Sequence, residues 1–290
     1  MLALLLVFPE VAVFMETKFI MISSSKGGVG KSTVALGISK ELALLGESVL
    51  LCDLDFGNAC QDILLGVEDR VIYTVSDIAK GKCRESDAIV SDLETGISGL
   101  VLLPCPAGAT VRISENEDDG GLSPKAVIDA VKKAAAASSC RYVVIDTGAG
   151  VNALSDAAAE IANSILVVAS HNPISLRAAE GTVVRYSKLG LKDIRLVINS
   201  FEADSTFSKK YQRKSLLDII DLSRAQLLGV VPYDYALMLS HEGLLMKERS
   251  GKAGDSDRAF YNIARRIMGD DVPLFMGIKK LRRARAKLYQ

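Results

Sequence analysis

Residues 23–34 read SSSKGGVGKSTV, and this glycine-rich run decides how the chain is organised. It follows an apolar stretch, KFIMIS at 18–23, and precedes a helix predicted to start near Ser32. Glycines let the backbone curl so that its N–H groups converge on a phosphate, and the helix dipole favours the anion. The order strand, loop, helix therefore predicts a phosphate-binding loop. A glycine-rich turn without a ligand is the alternative.

The chemistry of this motif predicts a role for each polar side chain in the loop. Lys31 is expected to contact the β- and γ-phosphates, the Ser32 hydroxyl to bind Mg²⁺, and Thr33 to reach the α-phosphate. The backbone of four residues would form the cradle: Gly27, Gly28, Val29 and Gly30. A second lysine, Lys26, stands five residues before Lys31, although a phosphate-binding loop needs only one.

Strand-like and helix-like segments alternate along the rest of the chain. Apolar runs predict strands at 18–23, 48–53, 100–104, 142–146, 164–170, 194–200 and 227–232. Helices are predicted at 32–45, 124–138, 153–163, 174–189, 236–248 and 256–269. Several strands are apolar throughout, as expected where both faces of a sheet are covered. The alternation predicts an α/β fold with a doubly wound, mostly parallel sheet and helices on both faces.

Three aspartates follow predicted strands. Asp53 and Asp55 stand at the end of the second strand, and Asp146 ends the strand at 142–146 before a glycine-containing loop. Ligands of open parallel sheets bind at this edge, so the carboxylates are candidates for the Mg²⁺ shell and for orienting water. Asp146 therefore has the position of a Walker B carboxylate, at the end of an apolar strand. The alternative for Asp53 and Asp55 is a pair of turn-forming residues before Gly57.

Composition limits the functional classes. The 290 residues are 49% hydrophobic and contain 35 basic and 35 acidic residues, so a sizeable core is expected. Five cysteines without a CxxC pair indicate a reducing cytosol and argue against a cysteine-ligated metal centre. The body is mildly acidic, which makes DNA an unexpected partner.

The two termini differ from the body. Residues 1–14 are apolar but short, and are predicted to be an upstream-start extension or loose arm; a membrane-touching arm is the alternative. Residues 273–290 are predicted to form a basic amphipathic tail that lies on an anionic membrane surface. The alternatives are a helix docked on the body and a flexible solubilising end. Six basic residues lie in this tail: Lys279, Lys280, Arg282, Arg283, Arg285 and Lys287.

Residues 15–272 resemble the deviant Walker A ATPases of the MinD/ParA family, closest to its MinD branch. The resemblance rests on KGGVGKS (26–32), DLDFG (53–57), VIDTGAG (144–150), VINS (197–200) and LLGVVPYD (227–234). It departs from the family at Cys60, where MinD proteins commonly carry asparagine, and at Gly148, where proline or alanine is usual.

The resemblance implies roles for individual residues. Lys26 would reach the ATP of a partner subunit, Asp55 would orient the attacking water, and Asp53 would lie near Mg²⁺. Asn199 would read adenine and Pro232 would line the base.

The whole protein would then be a cytoplasmic ATPase that dimerises on ATP at the inner face of the membrane. It would position a septum, flagellum or pilus with an unidentified activating or cargo protein. A polar scaffold with weak ATPase activity and a DNA-segregating ParA-like ATPase are the alternatives.

Overall fold

Seven strands form the sheet of the computed structural model, which describes residues 16–91, 93, 96–108, 111–114, 121–202, 216–241, 254–279 and 281. Their spatial order is β3-β2-β4-β1-β5-β6-β7, and all six pairings are parallel. The strands are β1 (Lys18–Ser23), β2 (Val49–Leu54), β3 (Leu100–Leu103), β4 (Tyr142–Thr147), β5 (Ser164–Ser170), β6 (Ile194–Phe201) and β7 (Gln226–Pro232). Each predicted strand is confirmed to within a residue or so.

Ten α-helices are described, and the six predicted ones are among them. They are α1 (Lys31–Leu44), α2 (Gln61–Leu65), α3 (Val75–Ala79), α4 (Glu85–Ala88), α5 (Pro124–Ser138), α6 (Ala153–Ile161), α7 (Pro173–Lys188), α8 (Leu216–Ser223), α9 (Tyr235–His241) and α10 (Asp255–Met268). The end of the helix predicted over 236–248 lies outside the described residues. The four helices that the sequence did not predict are short and have too few turns for a clear apolar period.

The strand order fixes where a ligand can bind. All residues of β2 and β4 are buried, because helices cover both faces of the sheet. The chain runs outward from β1 to β2 and β3, returns to β4, and then continues on the other side of β1 with β5. A parallel sheet leaves a crevice at such a reversal, outside the carboxyl ends of its strands. The loop after β1 lies at this point.

Helix α10 packs tightly between α1 and β7. A Cβ added at Gly37 would lie 2.6 Å from the Phe260 ring, and one at Gly229 would lie 2.3 Å from Ile263. Two glycines therefore allow the helix to approach closely on both sides.

The chain after α10 continues to pack on the body. Phe275, Ile278 and Leu281 are buried, and the Asn262 side chain donates to the Met276 carbonyl at 2.8 Å. The body therefore extends past Val272, and the start of the predicted tail belongs to the core. Residues 1–14 and 282–290 lie outside the described residues. None of the helices described is both long and apolar enough to cross a bilayer.

Candidate functional site

The glycine-rich loop links the end of β1 to the start of α1. Gly28 and Gly30 have backbone φ angles of 72° and 87°, which residues other than glycine rarely adopt. Lys31 begins the helix and is 7% exposed. A Cβ at Gly28 would meet no atom within 4 Å, so the loop is open on that side. The backbone can therefore receive an anion at the N-terminus of a 14-residue helix.

Asn199 holds this loop from the end of β6. Its Nδ2 donates to the Val29 carbonyl at 2.9 Å, and it is buried. A Cβ at Gly30 would stand 2.1 Å from the same nitrogen, so only glycine fits there. This contact uses the amino group of Asn199, and the predicted role of Asn199 in reading adenine remains a prediction.

A proline and two aromatic rings complete this side of the site. Pro232 is buried at the end of β7 and lies opposite Phe201, whose carbonyl accepts from Tyr233 N at 3.0 Å. The His171 ring stacks on Phe201 with centroids 4.6 Å apart. The role of Pro232 beside a base remains a prediction.

Asp53 binds the loop that follows its own strand. One of its oxygens accepts from Asp55 N at 2.9 Å, and the other from Cys60 N at 2.9 Å and Gln61 N at 3.0 Å. Burial raises the pKa of Asp53 to about 6, although the three backbone donors favour its ionised form. The carboxylate is engaged with the backbone, which suits an orienting role beside a metal.

Asp146 lies directly across from Asp53 in the pairing of β2 with β4. It is fully buried, and burial, followed by the charge of Asp53, raises its pKa to about 7. Hydrogen bonds from Ser32 and Gln61 and the charge of Lys31 act in the opposite direction. Its Oδ1 has no hydrogen-bond partner among the described residues. A cation or a water donor would relieve this cost.

Gln61, for which the sequence pattern predicts no role, connects these groups. Its Nε2 donates to Asp146 Oδ2 at 2.8 Å and to the Ser32 carbonyl at 3.1 Å. The only sequence signal was its place, a polar residue between the aspartate loop and the apolar run ILL. Its partners could not be inferred, because Asp146 is 85 residues away in the chain.

Asp55 lies at the more open part of the site. Its Oδ1 accepts from Gly57 N at 3.2 Å and from Asn58 N at 3.0 Å, as in a turn. A Cβ at Gly148 would lie 3.2 Å from the same oxygen. Asp55 therefore combines the predicted turn geometry with a position at the common edge, next to the loop after β4.

Lys26 is half-buried in the first part of the loop. Its backbone N–H donates to Ser24 Oγ at 3.1 Å, and the Ser24 carbonyl accepts from Gly150 N at 3.0 Å. Ser25 and Thr182 share a hydrogen bond between their hydroxyls, which ties the loop to α7. These contacts fix the backbone around Lys26, whose reach to a partner subunit remains a prediction.

The residues present fit a magnesium ion bound with a nucleotide. No group of three or more His, Cys, Asp or Glu side chains suitable for a metal occurs in the described part of the chain. Mg²⁺ does not need one, because it keeps several waters and uses one or two protein ligands together with phosphates. Ser32 at the start of α1 and the unpartnered Asp146 oxygen match that donor set.

Sequence comparisons match this chain to nucleotide-binding proteins. Residues 20–244 match the family described as CobQ/CobB/MinD/ParA nucleotide binding domain. The septum site-determining protein MinD of Synechocystis sp. is 31% identical over 259 residues, covering 88% of this chain and 91% of that protein. MinD of Thermotoga maritima is 30% identical over 257 residues, with coverage of 88% and 89%.

Solved structures show the same architecture. A chain of the MinC:MinD cell division protein complex of Aquifex aeolicus has a TM-score of 0.74 and 26% identity, covering 89% of this chain and 98% of that one. MinD of Pyrococcus horikoshii, complexed with Mg-ADP, has a TM-score of 0.68 at 22% identity, covering 89% and 100%. The predicted doubly wound fold and the predicted family resemblance are confirmed.

Proposed function

Because this chain belongs to the CobQ/CobB/MinD/ParA family of nucleotide-binding proteins, we propose that it is a MinD-type ATPase that positions a cellular structure such as the division septum. The observation that carries this proposal is one arrangement at the carboxyl edge of the sheet. The loop after β1 and Lys31 lie beside Asp146 of the neighbouring β4, and Asp53 of β2 is paired directly with Asp146. A cation, backbone donors and carboxylates together suit a metal-bound nucleoside triphosphate.

Nucleotide binding would use the loop and the first turn of α1. Backbone N–H groups of the loop would bind the phosphates, and the buried Lys31 ammonium would neutralise part of their charge. Ser32 and Asp146 would hold Mg²⁺, which neutralises charge that develops on the phosphates during transfer. Asn199 would keep the loop in the binding conformation through the Val29 carbonyl.

Hydrolysis would require two further groups. Asp55 would orient the attacking water, since it lies at the edge next to Gly148 and is only half-buried. Lys26 of a second copy would stabilise charge on the transferring phosphoryl group, as an arginine finger supplied in trans does. ATP would thus hold two subunits together, and its hydrolysis would release them.

Membrane attachment would depend on residues beyond Leu281. Phe275, Ile278 and Leu281 are buried in the body, so they are not free to enter a bilayer. The basic residues that follow would contact anionic lipid, each contributing about 1 kcal/mol, and two tails on a dimer would gain avidity.

A turnover assay with size measurement tests the enzymatic part of the proposal. Lys26→Ala is expected to keep ADP affinity but lose ATP-dependent dimerisation and slow turnover roughly 10³-fold. Lys125→Ala, which removes an exposed lysine at the start of α5, is the matched control. Wild-type turnover in Lys26→Ala would contradict the trans role. Nucleotide binding without turnover in the wild type would favour the scaffold.

Liposome sedimentation tests the attachment. We expect the full chain to sediment with anionic vesicles in the presence of ATP but not ADP. A chain ending at Leu281 should remain in solution, because it keeps the packed segment and loses the basic end. Equal sedimentation of both chains would reject the tail as the anchor. Salt-sensitive binding to non-specific DNA would instead favour a segregation ATPase.

A further inference from the structure

Gln61 contacts Ser32, Asp53 and Asp146, three residues expected beside the metal. Its side chain is fully buried at the first position of α2. The backbone N–H donates to Asp53 Oδ2, and the side-chain Nε2 donates to Asp146 Oδ2 and to the Ser32 carbonyl. A single residue therefore joins the ends of β2 and β4 to the first turn of α1.

The orientation of the Gln61 carboxamide follows from its partners. A carboxylate oxygen and a backbone carbonyl can only accept, so the group facing both must be the amino group. The carbonyl Oε1 then points elsewhere, and it is buried without a partner among the described residues. Asp146 Oδ1 is in the same condition. Two residues that are hydrogen-bonded to each other thus each carry a buried acceptor without a donor among the described residues.

Water bound to a divalent cation would supply that donor. Mg²⁺ keeps most of its waters, and these waters donate strong hydrogen bonds to nearby oxygens. We propose that Gln61 is a positioning residue for the Mg²⁺ that accompanies the nucleotide. Its amino group would hold the Ser32 backbone and the Asp146 carboxylate in place beside the metal, and its Oε1 would accept from a metal-bound water. This inference rests on the proposed nucleotide function.

Gln61 also connects the metal to the loop that carries Asp55. Asp53 Oδ2 accepts from both Cys60 and Gln61, while Asp53 Oδ1 accepts from Asp55. The Gln61 backbone is therefore tied to both ends of this loop, because one Asp53 carboxylate accepts from Asp55, Cys60 and Gln61. A residue that acts on a metal through its ligands typically changes metal affinity roughly 10–100-fold when it is replaced.

The test measures ADP binding by calorimetry and thermal unfolding, each with Mg²⁺ and with EDTA. Gln61→Leu keeps the approximate size but removes both polar ends of the side chain. We expect its ADP affinity in EDTA to match that of the wild type. The factor by which Mg²⁺ increases ADP affinity should be roughly 10–100-fold smaller than in the wild type. Ile63→Ala, on the same short helix and 55% exposed, is the control and should keep the wild-type gain.

A second variant keeps the inference testable if Gln61→Leu does not fold. Gln61→Glu keeps the shape but turns a carboxylate oxygen toward Asp146, so the two groups repel until a cation lies beside them. We expect the rise in Tm that Mg²⁺ and ADP produce together to be larger than in the wild type, whereas in Gln61→Leu it is smaller. A native side chain that only fills space would leave the rise unchanged in Gln61→Leu, whatever the added charge does in Gln61→Glu.

The outcomes separate this inference from the function on which it rests. Failure of the wild type to bind ADP would reject the nucleotide function itself. The role of Gln61 alone would be overturned by either of two results in a wild type that binds ADP. One is an unchanged Mg²⁺-dependent increase in ADP affinity in folded Gln61→Leu, and the other is an unchanged rise in Tm in Gln61→Glu. Opposite changes in the two variants would support it.

Discussion

The phosphate loop lies between two unlike halves of the sheet edge. On the acidic side, at the ends of β2 and β4, Asp53 and Asp146 are buried side by side and have raised pKa values. On the neutral side, at the ends of β6 and β7, an amide and a buried proline take the corresponding places. On the acidic side, two buried carboxylates lie close together, and a nearby cation would stabilise their ionised forms. On the neutral side, the loop is held by close packing and one hydrogen bond.

The largest effect is expected from removing the cation that faces the acidic side. Lys31→Ala should weaken ADP and ATP binding about 100-fold or more, because a buried charge-assisted contact to phosphate is lost. Lys26→Ala, in the same loop, should keep ADP affinity within a few-fold. Equal losses in both variants, measured by calorimetry, would show that the loop binds phosphate through general positive charge.

A single methyl group at Gly30 should disrupt the contact with Asn199 on the neutral side. Gly30→Ala forces a positive φ, worth about 1–2 kcal/mol, and also places its Cβ against Asn199. Gly46→Ala carries only the first cost, because a Cβ there meets nothing within 4 Å. Urea unfolding should therefore show a larger loss for Gly30→Ala. Adding Asn199→Ala should recover part of it, and strict additivity would contradict the close contact.

The stability of the nucleotide-free protein should depend on pH through the acidic side. Burial raises both pKa values above the ordinary 3.8, to about 6 for Asp53 and about 7 for Asp146, so the folded chain holds these protons more tightly than the unfolded chain. The free energy of unfolding should fall as pH rises from about 4 through these values, by on the order of a few kcal/mol.

Asp146→Asn separates the acidic pair from other titrating groups. An amide cannot ionise, so the variant should lose much of the slope between pH 5 and 8 and become more stable than the wild type at pH 8. Urea unfolding at both pH values measures the difference. An Asp146→Asn curve parallel to the wild type would mean that the buried pair does not carry the cost.

The smallest effect is expected where the two loops of the acidic side meet. In Gly148→Ala the new Cβ would lie 3.2 Å from Asp55 Oδ1, so the carboxylate must move by a few tenths of an ångström. ADP affinity should be unchanged, while ATP turnover should fall about threefold to tenfold if Asp55 orients water. Single-turnover kinetics distinguishes this from slower product release. Gly181→Ala, in open space on α7, is the control.

The site was partly predictable because its residues have local signatures. The glycine spacing, the lysine before a hydroxyl residue, and aspartates at strand ends all lie within short segments, and the structure brings Lys31, Ser32, Asp53 and Asp146 together. The two contacts that the sequence did not suggest connect distant segments. Asn199 bonds to Val29 across 170 residues, and Gln61 to Asp146 across 85.

The sequence by itself determined the seven strands, the longer helices and the place of the phosphate loop, because apolar runs and helical periods reflect burial along each segment. The tertiary structure alone decided which polar atoms meet at the edge of the sheet. It also decided that Phe275, Ile278 and Leu281, whose spacing equally suits a membrane surface, pack on the body instead. The physical reason is that an apolar face has no preference between a bilayer and a protein core, and only the presence of a complementary surface in the fold selects one.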